Sequence, residues 1–188
     1  MSSVFKSLSL LVGQKALLAI CLLAFLSRLL FCLVLYPVYF IHYSSVGDTY
    51  FLDTYREIAI QLLAGNGYRI APTLPPVLNR PPGYAVLLTL ISPASPRAEI
   101  FLFIGNAILG ALAACATYRL TLKLCGERKN ALLAAAAIAI FPFLIWESKV
   151  SVPENLLVVL LPLSIYYALD FWDENPKGYR ALIAGCLS

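Results

Sequence analysis

Carboxylates and cations able to handle a phosphorylated substrate fall into two stretches of this chain, each set between apolar runs. The first, VGDTYFLDTYREIAIQLLAGNGYRIAPTLPPVLNRPPGYAVLLTLI over residues 46–91, holds Asp48, Asp53, Arg56, Glu57, Arg69 and Arg80. The second, ESKVSVPENLL over 147–157, holds Glu147, Lys149 and Glu154. A carboxylate whose surroundings bring its pKa nearer working pH can take a proton from an acceptor hydroxyl or amine. A fixed Arg or Lys can neutralise a departing phosphate. Transfer from a lipid-phosphate donor is therefore chemistry that these residue types could run. A solvated loop would carry similar charges, so spacing alone leaves a non-catalytic reading open.

The elements that must position these residues are membrane spans. Of the 188 residues, 61% are hydrophobic and only 13% charged, and the mean hydropathy is +0.82, far from the balance of a soluble domain. The net charge of +4 is scattered between apolar runs and forms no basic stripe, which argues against a nucleic-acid partner. Cys21, Cys32, Cys115, Cys125 and Cys186 lie in or beside apolar runs, with no CxxC pair and one His in the chain. They read as small core residues, with neither a disulfide framework nor a zinc site.

About 20 residues at roughly 1.5 Å each cross the ~30 Å hydrocarbon core. By that rule the chain is all-α, a polytopic transmembrane helix bundle forming a single domain over 1–188. Spans are expected near 15–37, 98–122, 130–147 and 153–171, with an incomplete fifth at 180–188 and an outer loop over 38–97. The first run is too long for a signal-peptide core, carries Arg28 and ends in bulky YPVYF, so it reads as an uncleaved span. ALIAGCLS is too short to cross a bilayer. The chain is thus expected to be the N-terminal portion of a longer protein, unless its last segment is interfacial.

Within the loop, Tyr55, Ile58, Ala59, Leu62 and Leu63 follow the i, i+3, i+4, i+7, i+8 rule and predict an amphipathic helix from Asp53 to Ala64. Gly65-Asn66-Gly67 should end it, since Gly and Asn adopt the left-handed conformation of a helix terminus. Pro72, Pro75 and Pro76 hold an extended connection, and Pro81-Pro82 open a second short helix over Tyr84 to Ile91 that dips into the interface. Tyr36, Tyr39, Phe40 and Tyr43 read as an aromatic belt. Arg28, costly in mid-membrane, reads as an interhelical hydrogen-bond donor before a substrate contact, and Asn106 as another such donor; His42 reads as packing.

Lys6 and Lys15 precede span one; Lys123, Arg128 and Lys129 separate spans two and three; Lys177 and Arg180 follow span four. All fall on one side, which the positive-inside rule assigns to the cytoplasm. The long loop and the 147–153 connection are then extracytoplasmic and can meet.

GDTY followed by YREIAIQLLAGNGY, then NRPPGYAVLL, then ESKVSVPENLL, resembles the first and second outer loops of the polytopic GT-C glycosyltransferases. The likeness is to the branch holding protein O-mannosyltransferases, the lipid A aminoarabinose transferase and other family 39-like enzymes, and it runs from Arg28 to the start of span five. The resemblance implies an inverting transferase that takes a sugar from a polyprenyl-phosphate donor at the outer face of a plasma or inner membrane. The acceptor, whether lipid, glycan or protein, is left open. It implies Asp48 as catalytic carboxylate, Glu154 as a second acidic group, and Lys149 as phosphate partner where relatives often carry Arg. Arg56, Arg80 and Tyr84 complete the expected substrate contacts.

Three departures stand out. The Asp48 to Tyr55 interval is about a turn longer than usual, which makes Asp53 a rival for the catalytic role. Pro153 replaces a common Thr, and Lys149 loses the bidentate geometry of Arg. Asp53 also suits the N-cap of the loop helix, and Glu154 suits the positive end of span four. Two or three loop carboxylates could hold a divalent cation, though no spaced ligand set demands one. The competing reading is a non-catalytic membrane scaffold or transporter-like subunit. No internal repeat supports a transporter half, and the acids lie outside the spans.

Overall fold

The computed structural model describes residues 2–40, 54–91 and 98–174. Its regular elements are all helices, with no strand among the described residues. Helix α1 spans Ser2–Leu30 and continues as a wider π-helical stretch over Phe31–Phe40 that contains Pro37. Proline has no N–H to return to the preceding turn, so looser winding is the local response. Gly13–Val38 of this unit is long and apolar enough to cross a membrane.

The loop helices follow as α2, Thr54–Leu63, and α3, Pro82–Ile91. Then come α4, Ala98–Cys125; α5, Arg128–Ile140; α6, Pro142–Trp146, which runs into a single 3₁₀ turn at Glu147–Lys149; and α7, Glu154–Glu174. Ile100–Cys125 and Glu154–Phe171 are also of spanning length and composition. The expected segment 130–147 is broken at Phe141, where α5 and the Pro142–Lys149 stretch meet at 46°. Pro162 is accommodated within a continuous α7, as packing allows inside a membrane helix. The fifth segment and its flanking Lys177 and Arg180 lie outside the described residues.

Helix α4 is the centre of the bundle and packs on α1, α5 and α7. Its contact with α1 and α5 is a seam of small side chains. Ala131, Ala135 and Ala139, one turn apart on α5, are fully buried against Ala24 of α1 and Ala114 and Tyr118 of α4. Without bulky side chains between them the backbones approach closely, which is how helices associate where lipid removes the hydrophobic drive. Large apolar residues point outward instead: Leu18, Leu22 and Leu26 on α1, Leu157, Leu161 and Tyr167 on α7. A surface of that kind suits hydrocarbon surroundings and would be a liability in water.

The loop core sits on one end of this bundle. Tyr55, Ile58 and Ala59 of α2 and Tyr84, Ala85 and Leu88 of α3 bury together against Leu102 of α4, with Leu156 of α7 packed alongside. Leu63, at the edge of the predicted apolar face, is half exposed. Gly65 and Gly67, at φ +76° and +81°, turn the chain out of α2, a conformation open to glycine at little cost.

Candidate functional site

The second polar stretch is held by side chains that spend their donors on irregular backbone. Between Glu147 and Glu154 the chain leaves helical geometry, so its carbonyls need partners. Asn106, buried on α4, donates from Nδ2 to the carbonyls of Ser148 (2.9 Å) and Val150 (3.1 Å). Asn155 donates to the carbonyls of Glu147 (3.0 Å) and Val150 (3.4 Å), and the Ser148 hydroxyl to the Leu144 carbonyl (2.8 Å). Asn106 was expected as an interhelical donor. Asn155 and Ser148 were missed in the sequence; the only signal was the density of Ser and Asn around a proline between two spans.

The charged groups stand on this frame. Glu154 is exposed at the first position of α7, where the positive end of the helix favours a carboxylate. Lys149 is half-buried against aromatic rings, its Nζ 3.6 Å from the Trp146 ring centroid and 4.3 Å from that of Tyr36. Trp146 packs in turn against Phe31 (5.7 Å) and edge-on to Tyr36 (6.4 Å). Tyr36 of the expected belt, with Phe31, thereby ties the end of the first span to the 147–149 turn, while Tyr43 lies outside the described residues. Glu147 feels the charges of both Glu154 and Lys149.

Tyr84 joins the two polar stretches. Its ring packs edge-on to Tyr55 at 5.5 Å and is 2% exposed, so in this conformation it seats the loop on the bundle and offers no surface to a ligand. The phenol oxygen lies beside Asn155 and the Val152 backbone, out of good hydrogen-bond geometry with either. Burial is the main cause that pushes this phenol above its ordinary value of 10.0; the nearby Glu154 charge adds to it, and the polar groups of Asn155 and Val152 oppose it. Ser151 Oγ and Asn106 Oδ1 are also buried without a hydrogen bond.

On the loop, Arg80 lies 5.4 Å over the Tyr55 ring, and the Tyr68 hydroxyl fixes the backbone beneath it by donating to the carbonyls of Arg80 (3.2 Å) and Pro81 (3.1 Å). Arg80 also borders an open, largely apolar cavity of about 630 Å³ between the start of α2 and the proline-rich connection. Arg56 stands half-exposed on α2. Asp48, Asp53 and His42 lie outside the described residues. Among the described residues no group of three or more His, Cys, Asp or Glu stands together to hold a metal.

The structure thus gathers Glu147, Lys149 and Glu154 at one end of the bundle, with Tyr84 directly between that turn and the loop carrying Arg80. Cations stacked on aromatic faces can bind an anionic group, and an exposed carboxylate beside them can accept a hydrogen bond from a hydroxyl of the same ligand. Residues 79–188, more than half of the chain and including α3, α4 and the whole 147–157 stretch, match the family model for dolichyl-phosphate-mannose-protein mannosyltransferase. No curated protein and no solved structure matches the chain.

Proposed function

Because the chain belongs to the dolichyl-phosphate-mannose-protein mannosyltransferase family, we propose that it transfers a sugar from a polyprenyl-phosphate donor, with inversion, to an acceptor at the extracytoplasmic membrane face. The observation that carries this reading is the meeting of the two polar stretches at one end of the bundle, through Tyr84 and the Val152–Asn155 turn. The donor would lie with its prenyl chain along the apolar bundle and its phosphate at that end. Lys149 and Arg80 are positive charges held in fixed orientation by aromatic faces, suited to a departing phosphate. Asp48, with Asp53 as its rival, is the base that takes the acceptor proton, while Glu154 and Arg56 orient the acceptor and the donor headgroup.

The orientation has structural support as well as charge support. Gly13 of α1 lies against the Arg128 side chain at the start of α5, so the basic positions Lys15, Lys123, Arg128 and Lys129 gather at the end opposite the loop. The positive-inside rule places that end in the cytoplasm.

The test is sugar transfer from polyprenyl-phosphate donors by membranes that carry the protein. Asp48→Asn should abolish transfer while insertion is unchanged, and Asp53→Asn should leave most of it. Full activity in Asp48→Asn with loss in Asp53→Asn would move the base to Asp53, and full activity in both would overturn the enzymatic reading.

A further inference from the structure

The break at Phe141 leaves a specific deficit. In an unbroken helix the amide of residue 142 would donate to the Ile138 carbonyl, but Pro142 has no N–H. Phe141 is extended, at φ −64° and ψ 116°, so the chain beyond it is steered away from the last carbonyls of α5. Inside a membrane such carbonyls must find another donor. They find Arg28. Its Nη2 donates to the Ile138 carbonyl (3.3 Å) and its Nη1 to the Ala139 carbonyl (3.2 Å), while Nη1 also bonds the Ala24 carbonyl of its own helix (2.9 Å). Gly110 of α4 makes room, since a Cβ there would collide with the Arg28 side chain. Beside the guanidinium is a void of about 10 Å³, bordered by Leu144 of α6 and by Asn155, whose amide holds the Glu147 carbonyl.

We propose that Arg28 is a positioning residue for the transfer site: it supplies the donors that the Phe141–Pro142 break withholds from Ile138 and Ala139, and so fixes the bend that aims Trp146, Glu147 and Lys149 at Tyr36 and Glu154. The proposal rests on the reading of 147–154 as part of that site, but its test does not depend on activity. A fork of five N–H groups can serve two adjacent carbonyls and its own helix at once, which a lysine ammonium cannot do in the same geometry.

The experiment uses Trp146 as a reporter in the Trp172→Phe protein, reconstituted in phosphatidylcholine vesicles, since the chain has two tryptophans. Arg28→Met should shift Trp146 emission and increase its quenching by acrylamide, as the packing of Lys149, Tyr36 and Phe31 around the ring relaxes. The decisive comparison is with Pro142→Ala, which returns an N–H at 142 and removes the ring that disfavours a helical Phe141, so that the helix can continue and serve the Ile138 carbonyl itself. In that background Arg28→Met should have a smaller effect on Trp146. Unfolding in dodecyl sulphate should show the two changes coupled by about fivefold in the folded-to-unfolded ratio, as for residues that share one hydrogen-bond network. If Arg28→Met does not insert, Arg28→Lys takes its place in the same cycle. An unchanged Trp146 signal, or equal effects in both backgrounds, would overturn the proposal whatever the transferase assay shows.

Discussion

The two ends of the bundle use polar side chains in different ways. At the loop end Asn106, Asn155 and Ser148 bond backbone carbonyls. At the other end side chains bond one another: Lys123 pairs with Asp170 at 2.5 Å, and Asn130 donates to Glu127 at 3.1 Å. Cations lie over rings at both ends, Lys149 and Arg80 at the first and Lys123 over Tyr166 at the second. The connection there is short and regular, a tight turn at Gly126 (φ +69°) between α4 and α5. Irregular backbone consumes donors, and a chain keeps it inside a membrane protein only where it is buried in protein or lines a water-filled cavity. The difference marks the loop end as the place where the fold spends buried donors on irregular backbone.

That contrast can be broken by substitution. The largest effect is expected for Asn106→Leu, which leaves the Ser148 carbonyl without its buried donor and the Val150 carbonyl with only the 3.4 Å bond from Asn155. The loss should cost about 3 kcal/mol, read as lowered resistance to dodecyl sulphate and faster amide exchange over 147–151. An equal loss from Lys123→Met would erase the distinction between the ends. Next is Ala135→Leu in the α1–α4–α5 seam, where overpacking should cost about 2 kcal/mol and should be felt equally at both ends. Lys123→Met should cost about 0.5 kcal/mol, because its pair is partly exposed.

Tyr84→Phe sharpens the comparison through pH. The phenol is held above its ordinary 10.0 by burial, so its contribution to loop docking is complete below that value and is lost as pH rises past it toward the raised value in the folded state. Near pH 7 the change should be almost neutral, since the hydroxyl makes no hydrogen bond. Above about pH 10 the wild-type loop should loosen first, which amide exchange over α2 and α3 would measure. Identical alkaline profiles would remove Tyr84 from the junction.

Much of the frame could be read from residue types. The period of Tyr55, Ile58 and Ala59 and the glycines after Leu63 are local signals, and local signals suffice for a short helix and its end. Arg28 and Asn106 were legible as donors because a polar group in a span has few alternatives. Their acceptors were not, because the freed carbonyls of α5 and of the 147–150 turn exist only once α1, α4 and α5 are packed. For Lys149 the resemblance implied a phosphate role, but its seat on Trp146 and Tyr36 could not be read ahead, since Tyr36 lies more than a hundred positions away. Tyr84 shows the converse: expected at the substrate, it is buried beneath the loop, since a tyrosine at the start of a short amphipathic helix serves either purpose equally well.

The alanine seam also says how freely the protein can drift. Alanine gives up no rotamer freedom when it is buried, so the close approach of α5 to its neighbours is free of side-chain entropy loss. But at Ala131, Ala135 and Ala139 only glycine is smaller, and every larger residue must push a helix aside. Outward positions such as Leu133 and Ile140 on the same helix face no such limit and can exchange among apolar residues. One helix therefore carries two alphabets, a nearly closed one written every fourth residue and an open one between, and a saturation library of α5 would separate them by eye.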